Sequence, residues 1–471
     1  MPDESARSTV AIAGVTGFVG ETLARALRGH AGVGRLVGIG RGSGASSPVD
    51  EWRKCDLFSL ADAERALAGV EVAVYLVHSM MPSAALTQGD FADFDFLAAD
   101  NFARAAAKNG VKQIVYLGGL VPRGGRALSR HLESRLEVER VLGAHGTPIT
   151  ALRAGLVVGP AGSSFLMLRR LVERLPVMLT PAWTETRTQP IDLADVVALL
   201  AHCVGRPETF GQSFDVGGPE VLTYRAMIER MAAKLGRNPR LYAVPFFTPG
   251  LSRLWVSLVT GAPKSLVAPL VESLTHEMVA GDRRLQDAAR IPGHSFDESL
   301  DAALETEPPA DAREGRSRTQ RDVRSVQRLP LPDGRDARWV ADEYLRWLPR
   351  LLPFALRVQV ADDQVCRFTL LGVTLLVLAY SKERSSDDRA LFYVRGGILA
   401  GPSERGRLEF RSVPRAPFVI AAIHDFVPRL PWPIYATTQA PFHLAVMRAF
   451  GRHLARSNGR PRSTELSVEP N

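Results

Sequence analysis

The chain reads as two domains in series: an α/β domain built on a parallel sheet, then a smaller α+β domain. Three observations predict this. Short apolar runs alternate with helical patterns through the first two hundred residues, as a parallel sheet with crossover helices requires. Residues 305–322 are dense in Pro, Glu, Arg and Asp and poor in apolar side chains, so they read as a linker. Beyond them strand-like runs follow one another closely, with turn clusters between. At 471 residues the chain is also too long for one average core. The expected division is 1–304, linker 305–322, second domain 323–456 and a disordered tail 457–471.

The first elements are the most telling. Val10 to Ala13 is a short apolar strand, followed by Gly14, Gly17 and Gly20 and then by a helical face of Leu23, Ala26 and Leu27. Strand, glycine turn and helix in immediate succession is the layout of a dinucleotide phosphate site in a Rossmann-type domain. Gly14 suits a tight turn, Gly17 admits the main chain close to a pyrophosphate, and Gly20 lets helix pack on strand. Thr16, Phe18 and Val19 fill the intervening positions, at a helix end whose open N–H groups favour an anion.

A second strand, Arg35 to Gly40, ends at Arg41 and Ser43. An acid there would accept a ribose 2′-hydroxyl, whereas arginine favours a 2′-phosphate, so NADP is expected with NAD as the alternative. The bland reading of Arg41 is a solvated loop residue. Cys55-Asp56-Leu57 precedes a helix over 61–67. Val72 to Val77 is a strand running into His78, and a helix over Phe91 to Lys108 leads to a strand at Gln113 to Leu117.

With these segments placed, the chain resembles the atypical or extended short-chain dehydrogenase/reductases, in the branch that includes the complex I 39 kDa subunit-like proteins. The resemblance rests on Gly14 to Gly20, Cys55 to Leu57, Tyr75 to Ser79, Leu152 to Pro160, Gln189 to Val197 and Phe214 to Pro219, in that order. It covers about the first three hundred residues. It implies that Gly14, Thr16, Gly17, Phe18, Val19 and Gly20 hold the pyrophosphate, that Asp56 and Leu57 flank the adenine, and that Val77 and His78 line the ribose near the nicotinamide. Arg41 would meet the 2′-phosphate.

The catalytic pattern of that family is altered. Its members reduce carbonyls with a Tyr-x-x-x-Lys pair on a helix and a serine at the end of the preceding strand. Here the strand ends Tyr116-Leu-Gly-Gly-Leu120, and the helix expected over Leu128 to Leu142 contains no tyrosine. His131 and Arg135 stand at the matching spacing on one helical face. Two readings follow: His131 donates the proton while Arg135 fixes the ribose, or both are exposed residues of a charged helix. The face met by Tyr116 is left open by the sequence. Asp192 and Asp195 read as helix caps.

Bulk properties narrow the classes. The formal net charge is +8, without the aromatic interleaving of a nucleic-acid surface. That leaves solvated surface, or peripheral attraction to an anionic membrane. Three distant cysteines fit neither a disulfide framework nor a metal site. Residues 1–8 lack an apolar signal region, and the apolar run Phe368 to Tyr380 is too short to span a bilayer, so a cytoplasmic protein is expected. Helices expected at 224–235, 249–260 and 264–278 carry apolar stripes that would form core, close over a substrate or dock the second domain.

In the second half, a strand at Val323 to Leu329 and a helix at Arg338 to Leu352 precede strands at 356–360, 366–371, 374–380, 390–394, 407–410 and 418–423, and a last helix at Gln439 to Arg456. This order resembles the helix-grip arrangement of START/Bet v1-like domains. It implies a helix lying across a curved sheet, with either an apolar ligand cavity or a filled core between them. The functional expectation is an NAD(P)H-dependent oxidoreductase acting on an apolar small molecule, with no metal and no nucleic-acid partner. The alternatives are a non-catalytic NAD(P)-binding structural or sensor protein, and a lipid-handling protein regulated by nucleotide.

Overall fold

The computed structural model describes residues 7–44, 47–78, 86–123, 127–244, 271–306, 323–351, 353–361, 364–401 and 403–457. The chain forms two compact units, one of residues 1–81 with 95–315, the other of 82–94 with 316–471. The sequence divides the chain once, whereas the structure also takes the short segment 82–94 into the second unit.

The first unit is built on seven parallel strands: β1 (Ser8–Ala13), β2 (Val33–Gly40), β3 (Glu51–Lys54), β4 (Val72–Tyr75), β6 (Gln113–Gly119), β7 (Ile149–Ala154) and β8 (Ser213–Val216). Strand β5 (Leu86–Gln88) belongs to the second unit. The spatial order is β3-β2-β1-β4-β6-β7-β8. Every neighbouring pair is parallel, with Val10 opposite Val72 and Ile12 opposite Val74. This is a Rossmann-like sheet. Its strands are apolar on both faces because helices cover both.

On one face Val10 and Ile12 pack with Leu23 and Leu27 of α1 (Phe18–Leu27) and with Val196 and Leu200 of α6 (Leu193–Cys203). On the other, the Tyr75 ring meets Phe102 of α3 (Phe91–Lys108) edge-on, with centroids 5.0 Å apart. Helix α2 (Leu60–Ala66) is capped by the Ser59 hydroxyl, and α4 (Arg130–Leu142) by Ser129, which sets its start two residues later than the sequence predicts. Asp192 caps α6, its Oδ1 accepting from the Ala194 N–H at 2.6 Å. A satellite core joins α5 (Ser163–Arg174), α7 (Tyr224–Lys234) and α8 (Phe296–Glu305) through Phe165, Met227 and Leu300. The stripe expected at 249–260, and 264–270 of the one after it, lie outside the described residues.

The strand expected over 72–77 leaves the sheet after Tyr75, where the Leu76 N–H still donates to the Ala13 carbonyl. The polar strand β3 is absent from the sequence reading. Its Trp52 indole donates to the Gly42 carbonyl at 2.9 Å and packs over Gly38 and Gly40.

The second unit holds an eight-stranded sheet of β5, β9 (Val323–Pro330), β10 (Leu356–Val360), β11 (Val365–Leu370), β12 (Val373–Tyr380), β13 (Arg389–Gly396), β14 (Arg407–Ser412) and β15 (Phe418–Phe426). The order is β10-β11-β12-β13-β14-β15-β9-β5, antiparallel throughout except for the parallel β9/β5 pair. Helix α9 (Ala337–Trp347) lies between β9 and β10 in sequence, and α10 (Ala440–Ser457) ends the described chain. Both helices pack on the sheet. Tyr344 of α9 meets Phe450 of α10 at 5.1 Å and Phe410 of β14 at 5.5 Å between ring centroids. All three cysteines are buried free thiols. Among the described residues no helix is long and apolar enough to cross a membrane, and no cluster of side chains is suited to a metal ion.

Candidate dinucleotide and proton-transfer site

In the first unit the strand order reverses between β1 and β4, and in open α/β sheets ligands bind at the carboxyl ends of the strands at such a point. The glycine turn sits there. Gly14 has φ +89°, and a side chain on it would meet the Leu76 backbone at 3.0 Å. A Cβ on Gly20 would stand 2.2 Å from the Gly14 carbonyl oxygen, so only glycine lets α1 pack this close to the strand. Gly17 is the N-cap of α1 and offers no side chain to the first N–H groups, which remain available to an anion. Thr16 and Gly17 are exposed, while Phe18 and Val19 are half-buried. The Phe18 ring fills the space beside Gly159 and Gly162, where added side chains would approach it within 2.6 and 3.3 Å.

The other expected cofactor contacts lie along the same edge. Arg41 follows β2 and is exposed. Asp56 follows β3, and its Oδ1 accepts from the Phe58 N–H at 3.2 Å. Leu57 is buried, its carbonyl held by Asn101 Nδ2 at 2.8 Å. Val77 and His78 follow β4, half-buried.

His131 is not on an exposed charged surface. Its ring lies 5.3 Å from that of His78, and its Nδ1 is buried without a hydrogen-bond partner among the described residues. Burial, reinforced by the nearby His78 and Arg135, lowers its pKa to about 3. His131 is therefore neutral at physiological pH. Arg135 reaches back to the end of β6, where its Nη2 donates to the Leu117 carbonyl and its guanidinium carbon lies 5.0 Å from the Tyr116 ring centre. Tyr116 is buried; its hydroxyl donates to the Arg135 carbonyl at 3.1 Å, and burial pushes its pKa up. A hydroxyl so committed does not serve as the acid. The position expected to hold serine is glycine, and a Cβ on Gly119 would make ordinary contacts with Arg135 and Leu132.

Two partners escaped the sequence reading. His78 Nδ1 lies 2.7 Å from Asp95 Oδ2, and the Ser134 hydroxyl donates to the same oxygen at 3.4 Å. The carboxylate fixes the tautomer with a proton on Nδ1 and leaves Nε2 as the working nitrogen. That Nε2 is buried and has no partner among the described residues. The available signal was the helix stripe of α3, because Asp95 shares a face with the buried Ala99 and Phe102 at spacings of four and seven.

Residues 10–217 match the NAD dependent epimerase/dehydratase family. The auxiliary protein GraX of Staphylococcus aureus (strain NCTC 8325 / PS 47) is 31% identical over 140 residues, which is 30% of this chain. The chain spans 42% of the length of that relative. Among solved structures, the NADPH-dependent quinone oxidoreductase QOR2 of Escherichia coli superposes with a TM-score of 0.51 at 18% identity, covering 63% of this chain and 99% of its own. The triphenylmethane reductase of Citrobacter sp. gives a TM-score of 0.51 at 17% identity over 63% of this chain and 100% of its own. These likenesses are of fold.

Proposed function

We propose that the first unit is an NAD(P)H-dependent reductase and that His78, held by Asp95, is its proton donor. One observation carries the reading: the glycine turn and the His78–Asp95 pair stand at the carboxyl ends of adjacent strands. The residues fit a dinucleotide, because the close approach at Gly20 and the open first turn of α1 are what a pyrophosphate needs. Gly14 to Gly20 hold the phosphates, Asp56 and Leu57 flank the adenine, Val77 lines the ribose, and Arg41 favours the 2′-phosphate of NADP. When bound, the reduced cofactor supplies a hydride.

The chain's own part is to deliver the proton and exclude water. His78 gives it from Nε2, and the Asp95 carboxylate stabilises the imidazolium before transfer. His131, kept neutral by burial, serves as a hydrogen-bonding wall rather than as a cationic acid. Arg135 stiffens the end of β6 and retains Nη1, which is buried without a partner among the described residues, for the ribose.

For the second unit we propose a START/Bet v1-like helix-grip domain that presents an apolar small molecule. The sequence of strand, helix, six-stranded meander and closing helix, with the first strand beside the last, supports it. A non-catalytic, cofactor-sensing protein is the second reading, favoured by the replacement of the serine and tyrosine positions by Gly119 and His131.

The test is NADPH oxidation by the full chain against quinones and aromatic carbonyls. Turnover that survives His131→Ala but falls in His78→Asn and Asp95→Asn supports the donor assignment. Saturable NADPH binding with no turnover on any acceptor supports the sensor instead.

A further inference from the structure

We infer that one corner of the second unit inserts into an anionic lipid surface. Strands β11 and β12 are joined by the two-residue turn Leu371-Gly372, with Leu370 paired to Val373. Both turn residues have positive φ, +48° and +85°. Such a turn favours Asn-Gly, and leucine at its first position sits in a backbone region that a branched apolar side chain rarely adopts. Leu371 is nonetheless 79% exposed, so no contact in the fold compensates for its placement.

Its neighbours share the character. The Leu371 N–H donates to the Ala355 carbonyl at 2.9 Å, which brings alongside it Phe354, 96% exposed. The Ile398 N–H donates to the Thr374 carbonyl at 3.1 Å, which places Ile398 beside Val373, both about half exposed. Leu351, also exposed, ends the helical turn leading towards β10. Single exposed apolar residues are ordinary, but five gathered on adjoining turns of one sheet corner are not.

The charge around the corner selects the occupant. Residues 344–361, 364–381 and 390–401 together carry five arginines and no aspartate or glutamate. The acids between them in sequence (Asp362, Asp363, Glu383, Asp387 and Asp388) belong to the connections that follow β10 and β12, at the strand ends opposite the Leu371 turn. Arg350, Arg357, Arg367 and Arg395 are exposed. Protruding apolar side chains ringed by arginine suit the boundary of an anionic bilayer, where the tips enter the acyl region and the guanidinium groups meet phosphates. A second copy of the chain would bring the same positive charge against itself.

The experiment is co-sedimentation of the full chain with vesicles of phosphatidylglycerol and phosphatidylcholine, and with pure phosphatidylcholine, alongside Leu371→Asn and Phe354→Ser. Leu371→Asn suits the turn better than the native residue, so its thermal midpoint stays level or rises, which separates lost insertion from lost folding. The wild type sediments with the anionic vesicles, less at high salt and little with the neutral ones. Each variant lowers the partition coefficient about tenfold, the scale set by removing one large apolar side chain from the contact. The inference is overturned if the wild type stays in solution with anionic vesicles, or if both folded variants bind as the wild type does. It is equally overturned if the variants instead abolish a lipid-free self-association, which would assign the corner to a second copy.

Discussion

The two sheets use their charged side chains in opposite ways. In the second unit Glu409 of β14 is fully buried between Arg389, 2.8 Å away, and Arg411, 3.1 Å away, and these cations hold its carboxyl well below the usual range. Asp425 is held similarly by Arg407 at 2.7 Å and Arg324 at 3.2 Å, its pKa lowered to about 2. These carboxylates are saturated by fixed arginines, and the buried His424 ring, 3.4 Å from Glu409, joins a network that two guanidinium groups already neutralise. In the first unit Asp95 is just as buried but faces His78, whose other nitrogen has no partner among the described residues. A carboxylate neutralised by two arginines is architecture; the Asp95–His78 pair keeps a proton in play.

The comparison breaks most visibly under substitution. Glu409→Ala leaves buried guanidinium groups uncompensated and is expected to cost about 3–5 kcal/mol of unfolding free energy in denaturant, with NADPH affinity unchanged. Loss of NADPH binding in that variant would show that the network serves the cofactor. Asp95→Asn is expected to lower kcat about a hundredfold, the scale of a misplaced general acid, with a smaller stability loss than Glu409→Ala. An unfolded Asp95→Asn protein would make this carboxylate architectural too.

Acid sharpens the contrast between two further buried rings. Burial lowers the pKa of His131 to about 3 and that of His443, in α10, to about 4. In the unfolded chain each takes its proton near its ordinary value of 6.5. Between those values the unfolded state binds more protons, so stability falls as pH drops below about 6.5. His131→Gln and His443→Gln should each flatten that dependence by about one proton in acid titrations followed by circular dichroism. An unchanged pH profile would mean the rings are hydrated in solution. The smallest effect expected is at Arg41: Arg41→Ala weakens NADPH about tenfold and leaves NADH unaltered, the cost of one exposed charge contact with a phosphate. Equal wild-type affinities for the two cofactors would remove the NADP preference.

What the sequence made legible follows from the same physics. Strands β1, β2, β4 and β6 are apolar runs, and the glycine turn is a local pattern, so each could be read in place. Strands β3 and β5 could not, because they are the edges of their sheets, and edge strands are short and polar. The meander of the second unit was legible from its turn clusters. The His78–Asp95 pair was not, since it joins residues 17 apart on a strand end and a helix whose facing is fixed only by packing. His131 was left between two readings for a related reason: α4 carries Arg130, Glu133, Glu137 and Arg140, and that the ring is not an exposed surface group shows only when His78 is seen against it.

The central claim is tested most directly at Gly17. Aspartate is a favourable helix N-cap, and its Cβ would stand 3.1 Å from the Gly14 carbonyl oxygen. Gly17→Asp should therefore fold after a small shift of the turn, with a thermal midpoint near the wild type's as the control, while placing a carboxylate where the phosphates would lie. Titrating NADPH into both proteins, followed by cofactor fluorescence, should show saturable binding to the wild type and none to the variant at the same concentrations. Equal binding by both, or by neither, would contradict the account.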